Sequence, residues 1–241
     1  MEEGVLKEII LIKIPGIPDV VTMSWIVMVI IITLCLFAKR KISKSPVGLQ
    51  NAVEYIVEWI ILKSKEFLGE NGPRFLPLFI TLFLFILFSN LIGLIPGFKS
   101  PTSNINVTIS LALIIFFSIH YFGIKEKGLW RYFKHFLGPP YWLSPILFPI
   151  HIISELARPL SLSIRLFGNI MAKEILLGIL AVLFVAFSSI PKIGIILSVF
   201  PLILRPLIML LGVLVSFIQA LVFTLLSMVY IAGAIETGEQ H

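Results

Sequence analysis

The sequence predicts an all-α, polytopic membrane protein, and three observations carry that prediction. Hydrophobic residues make up 58% of the chain and charged residues only 13%, against roughly a quarter charged in an ordinary soluble domain. The apolar residues gather into runs long enough to cross the hydrocarbon, which takes about 20 residues as a helix. The basic residues behind the net charge of +6 cluster at the ends of those runs, where membrane topology places them, and form no patch suited to nucleic acid. The whole of 1–241 reads as one membrane domain with no visible internal repeat. The single cysteine, Cys35, cannot form an internal disulfide.

The first element is a transmembrane helix over 19–39. Its apolar run, Val20 to Ala38, is followed by Lys39, Arg40, Lys41 and Lys44. A cleaved signal peptide carries its basic residues in front. The reversed order predicts an uncleaved helix with the N-terminus outside and the basic end in the cytoplasm.

Over 47–72, Val53, Ile56, Val57, Ile60 and Ile61 follow the stripe of an amphipathic helix, with Glu54, Glu58 and Lys65 on the other face. Basic residues flank both ends (Lys39 to Lys44, then Lys63, Lys65 and Arg74), whereas a crossing would put one cluster outside. The expected element is a helix along the cytoplasmic surface; the alternative is a short crossing helix.

Two further crossings are expected over 75–96 and 105–123. The first runs outward and ends at Gly93, Pro96 and Gly97. An outer loop follows, Lys99-Ser100-Pro101-Thr102-Ser103-Asn104. The second crossing returns to a basic cluster of Lys125, Lys127, Arg131 and Lys134 before Gly138-Pro139-Pro140 breaks the chain.

Residues 144–189 and 193–235 are nearly continuous helix-compatible sequence, separated by Ile190-Pro191-Lys192. Each would be about 65 Å long as one helix, about twice the hydrocarbon thickness. Either each segment makes two crossings or each is one steeply tilted helix. The polar residues sit in mid-segment, and Pro159, Pro201 and Pro206 are tolerable as kinks where neighbours satisfy the backbone. The favoured reading is a hairpin of two long tilted membrane helices, which leaves the C-terminus in the cytoplasm.

The polar residues of these helices carry the chemistry. Ser154, Arg158, Ser161, Arg165 and Asn169 recur at helical spacing on one face. Arg165 stands out, because a guanidinium does not lose its proton and costs about 2.5–3.5 kcal/mol at the bilayer centre on insertion scales. Glu174 lies roughly 180° around the helix from Arg165 at 100° per residue, so the two cannot pair on this helix. Gly212, Ser216, Gln219, Phe223 and Tyr230 share a face of the second long helix. Ser161, Ser163, Ser216 and Gly212 also suit simple helix packing. Arg158 and Arg205 each precede a proline and suit an interface, where a long side chain can snorkel; His151, Glu155 and His120 read as solvated or interfacial. The sequence has no phosphate-binding glycine loop and no His/Cys metal-ligand spacing, and no cofactor is implied.

Several blocks together resemble subunit a of F-type ATP synthase. The most specific is Pro159-Leu160-Ser161-Leu162-Ser163-Ile164-Arg165-Leu166-Phe167-Gly168-Asn169-Ile170-Met171-Ala172-Lys173-Glu174. The run from Ile218 to Tyr230, Gly48-Leu49-Gln50-Asn51 and the Ser100 to Thr108 block follow in the family's order. The resemblance implies a non-catalytic stator subunit in the cell inner (plasma) membrane. Its two half-channels carry H⁺ or Na⁺ to and from carboxylates on a ring of c subunits, with the b-subunit peripheral stalk and the rest of the synthase as further partners. It implies that Arg165 separates the half-channels, and it ties Glu174, Asn169, Gln219, Ser161, Ser216, Asn104 and Tyr230 to the ion path or its surroundings. Asn104 stands where many relatives have Asp, and Gly212 where some have His or Glu. The rival class is a self-contained ion channel or secondary transporter, which would usually show paired halves with broken helices.

Overall fold

The computed structural model describes residues 16–40, 48–95, 97–132, 144–190 and 193–235, and these contain helices, turns and no strand. Lys41, Lys44, Pro96, Lys134, Gly138-Pro139-Pro140 and Pro191-Lys192 lie outside the described residues. The helices are α1 (Asp19–Arg40), α2 (Leu49–Leu68), α3 (Leu76–Ile92), α4 (Ile105–Lys127), α5 (Ser144–Ser188) and α6 (Gly194–Ile235), with 3₁₀ turns at Gly69–Phe75 and Pro101–Ser103. Five helical stretches among the described residues are long and apolar enough to cross a membrane: Asp19–Phe37, Gln50–Ile92, Ile105–Lys127, Pro145–Ser188 and Gly194–Ile235. The chain is an all-α, multi-pass membrane protein.

Two boundaries differ from the sequence reading for local reasons. The second helix ends at Leu68, because Gly69 takes a left-handed φ of 57° and turns its N–H back to Lys65 O. That conformation is one glycine adopts without a Cβ clash. The tight turn Gly69–Phe75 then leads into α3, with Ser64 Oγ donating to Gly72 O at 2.8 Å. The fourth helix continues to Lys127 and stops at Gly128, with φ 78°.

Each of the last two segments is one continuous helix, 45 residues in α5 and 42 in α6. Pro149, Pro159, Pro201 and Pro206 lie inside them. Each segment is therefore one long helix and not two shorter ones. A proline removes one backbone donor and crowds the preceding turn, and these helices tolerate that loss as membrane helices commonly do.

The chain divides into two compact units. The first comprises 16–34, Leu84–Asn104 and Leu166–Ala220; the second comprises Cys35–Phe83, Ile105–Arg165 and 221–235. In the first unit, Met23, Val27, Ile86, Leu166 and Ile170 are fully buried, yet so are Ser89, Asn90, Ser100, Thr102 and Ser216, and Lys173 and Gln219 are nearly so. In the second unit the core is Ile60, Phe75, Phe79, Phe83, Ile115, Phe223 and Met228. Phe75 packs edge-on against Phe122 there, with centroids 4.7 Å apart.

Candidate functional site

In the second unit, α5 is fixed by Leu162 and Ser163. Both are buried, and the Ser163 hydroxyl lies 3.0 Å from that of Thr108 on α4. Helical periodicity then turns Ser161, Ile164 and Arg165 outward, and all three are exposed. Arg165 Nη2 donates to Ser161 Oγ at 3.4 Å. No carboxylate among the described residues pairs with this guanidinium. Elsewhere on α5 the apolar side chains of Leu156, Leu160 and Ile164 are also exposed.

The same unit has a partly open cavity of about 380 Å³, whose walls include Tyr132, His151, Glu155, Arg158 and Tyr230. Arg158 Nη1 pairs with Glu155 Oε1 at 2.9 Å, and its guanidinium lies 5.3 Å from the centre of the Tyr230 ring. The other carboxylate oxygen, Glu155 Oε2, is buried without a hydrogen-bond partner among the described residues. Burial pushes the Tyr132 phenol above its usual range. The negative charge of Glu155 adds to the push and the positive charge of Arg158 opposes it.

In the first unit, Asn169 on α5 donates from Nδ2 to Gln219 Oε1 on α6 at 2.8 Å. The side chain of Lys173, further along α5, would lie 3.0 Å from a Cβ at Gly212. As residue numbers rise on α5, their partners on α6 fall, so the two helices run antiparallel here. Ser216 turns its hydroxyl onto its own helix, donating to Gly212 O at 2.6 Å. Glu174 is half-buried. Asn104 closes the turn after α3, its backbone N–H donating to Pro101 O at 3.3 Å. That turn folds against α3. Ser100 Oγ donates to Ser89 O at 2.7 Å, Thr102 Oγ1 donates to Asn90 Oδ1 at 2.6 Å, and Lys173 Nζ donates to Asn90 O at 3.1 Å. Asn90 Nδ2, Ser89 Oγ and Gln219 Nε2 are buried without a partner among the described residues. Such groups are ordinarily satisfied by water.

The first unit thus has a polar interior, the second holds a cavity, and Arg165 is a charge on an apolar helix, which marks a functional site by default. Residues 21–232 match the family model of the ATP synthase A chain. The chain belongs to the ATP synthase A chain family. Its relatives include ATP synthase subunit a 1 of Syntrophotalea carbinolica, 48% identical over 216 residues that cover 90% of this chain and 85% of the relative. ATP synthase subunit a of Geobacter sulfurreducens is 44% identical over 218 residues, covering 90% and 88%.

In this member of the family, the structure brings together Ser161 with Arg165 and Asn169 with Gln219, and puts Tyr230 in the cavity wall. It also brings forward residues the sequence reading passed over. His151, Glu155 and Arg158 read as interfacial, yet they gather with Tyr132 and Tyr230. Asn90, not singled out in the sequence, joins Thr102 and Lys173. Lys173 carried a usable signal, because it is a charge inside an apolar span, as Arg165 is.

Proposed function

We propose that this chain is the stator ion-channel subunit of a rotary F-type ATP synthase, and that Arg165 meets the carboxylates of a ring of c subunits. One observation carries the reading: in a member of this family, an exposed guanidinium on a largely apolar membrane helix has no carboxylate partner among the described residues. Such a charge calls for a partner from outside. The exposed Leu156, Leu160 and Ile164 on α5, with Leu207, Leu211 and Leu214 on α6, suit a ring of apolar helices or lipid.

The chemistry follows from the charge. At about 4 Å and an effective dielectric near 20, a guanidinium and a carboxylate attract by about 4 kcal/mol. At about 1.36 kcal/mol per decade, this favours the ionised carboxylate about a thousandfold. A ring carboxylate releases its ion on reaching Arg165, while desolvation in lipid favours the neutral form elsewhere. Arg165 cannot take up the proton itself and so closes the direct route between two half-channels. The cavity about Glu155, Arg158 and Tyr230 serves one half-channel. The polar cluster about Asn90, Asn169, Glu174 and Gln219 serves the other, with Asn104 and Ser216 at its margins. Along α5, the residues of the first precede Arg165 and those of the second follow it.

The subunit has no active site of its own. It sits in the cell inner membrane with its N-terminus outside, its C-terminus in the cytoplasm and α2 along the cytoplasmic surface, beside the b-subunit peripheral stalk. The test is Arg165→Ala in the assembled synthase. Ion-driven ATP synthesis is expected to vanish while ATP hydrolysis by the soluble head survives; coupled synthesis at the normal rate would refute the mechanism.

A further inference from the structure

Along α4 an outward stripe changes its chemistry in the order of a lipid leaflet. Leu113, Ile114, Phe117, Tyr121 and Lys125 are exposed at helical spacing, while Ala112, Ile115, Ile119 and Gly123 on the other side are buried. The 23 residues of α4 rise about 34 Å as a helix, just over the roughly 30 Å of hydrocarbon. With α4 centred in the membrane, Phe117 lies within the hydrocarbon, Tyr121 near its edge and Lys125 at the boundary. The Lys125 ammonium stands 5.9 Å from the centre of the Tyr121 ring. Gly128, at φ 78°, then turns the chain. The Tyr132 N–H donates to Gly128 O at 3.0 Å, and the Tyr132 ring packs on Gly123, so the turn is tied back to α4. Leu129, Trp130 and Arg131 are left exposed. Trp130, at 89%, is the most exposed large apolar side chain among the described residues.

An indole and a phenol beside basic side chains at the edge of the hydrocarbon suit a membrane interface. The charges decide which lipid they suit. Glu126 is the one carboxylate in 121–132, and Arg74 Nη1 engages it at 2.7 Å. Lys125 and Arg131 have no carboxylate partner among the described residues. We propose that this end of α4 is a binding site for an anionic phospholipid. Lys125 and Arg131 hold the headgroup phosphate, Tyr121 and Trp130 lie at the level of the glycerol, and the acyl chains run along Phe117, Ile114 and Leu113. In the topology proposed above, the lipid belongs to the cytoplasmic leaflet. A zwitterionic lipid brings the same chains and phosphate but also a cation, which the two basic side chains repel. A free anion in solution would leave Phe117, Leu129 and Trp130 uncovered. The bilayer supplies all three chemistries of the stripe in the order in which the stripe has them. By the usual worth of a basic side chain near an anionic surface, each of the two cations raises affinity about fivefold.

The test uses the assembled synthase with the photoreactive substitution Tyr121→p-benzoylphenylalanine, in vesicles of equal parts phosphatidylcholine and phosphatidylglycerol. Illumination links the ring to whatever lies against it, and mass spectrometry of the linked peptide reads the headgroup. Phosphatidylglycerol is expected to exceed phosphatidylcholine on the order of tenfold, given two cations at about fivefold each. With Lys125→Gln and Arg131→Gln added, the ratio should fall to that of the bilayer; with Arg131→Lys, which keeps the charge, most of the enrichment should remain. High salt should erase the enrichment in the complex that keeps both cations, which tests the charges without changing either residue. Equal linking of the two lipids at low salt would overturn the proposal, as would an enrichment that persists in the double Gln variant. Linking to a protein chain in place of lipid would give this face to a partner subunit and overturn it as well. The enrichment is expected to survive Arg165→Ala, so this inference and the ion-channel reading can fail separately.

Discussion

Asn169 Nδ2 donates to Gln219 Oε1 across 2.8 Å, joining α5 to α6 within the first unit. The two ends of this bond are not equivalent. Asn169 is exposed, whereas Gln219 is 3% exposed and its Nε2 has no partner among the described residues. Asn169→Leu strands a buried amide, which costs about 1–3 kcal/mol. Gln219→Leu removes that amide together with its unsatisfied donor. Asn169→Leu should therefore lower the thermal stability of the detergent-solubilised complex more than Gln219→Leu does. The double variant should reveal a coupling of about 0.6 kcal/mol, the usual size for a hydrogen bond between membrane helices. Equal single losses would mean that Gln219 is not stranded.

Glu174 is half-buried in the first unit, one residue beyond the inward-facing Lys173. Its place on α5, roughly 180° from Arg165 at 100° per residue, separates the acid from the guanidinium. A role in ion access predicts that Glu174→Gln, which keeps the shape and loses the charge, slows ion flux through reconstituted vesicles while assembly is intact. Unchanged flux would remove Glu174 from the path.

How far the sequence speaks depends on whether a feature lies within one helix or between helices. The outward turn of Ser161 and Arg165 follows from spacing, because Leu162, Leu166, Ile170 and Lys173 take the inward face. The all-helical membrane fold follows from composition and run length in the same way. Lys173 beside Glu174 looks like an ordinary polar pair until the fold supplies Asn90 O from α3 and room over Gly212 from α6. Spacing along α5 contains neither. His151, Glu155 and Arg158 likewise share a helix, but the cavity exists because Ile119, Tyr132 and Tyr230 close it from elsewhere in the chain. The continuity of α5 and α6 through their prolines also depends on surroundings, since a proline alone argues for a break.

Tyr132 supplies a test of the cavity that is independent of transport. Its ring packs on Gly123, where an added Cβ would lie 2.5 Å from Tyr132 Cε2, and edge-on to His120 at 6.0 Å between centroids. Burial and then the Glu155 carboxylate hold its phenol above the usual tyrosine value, against the pull of Arg158. The folded state therefore retains this proton where the unfolded chain has lost it. The stabilisation is fully present below the ordinary value of about 10, and it is lost as the pH rises through the raised folded value. In an absorbance titration of the five tyrosines, the signal lost in Tyr132→Phe should be a late, high-pH component. Tyr132→Phe should also reduce the loss of thermal stability above about pH 10, since phenylalanine keeps the ring contacts and removes the titrating group. Glu155→Gln, which removes the second cause, should shift the Tyr132 component to lower pH. A component that stays in place in Glu155→Gln would mean that burial alone sets the Tyr132 titration.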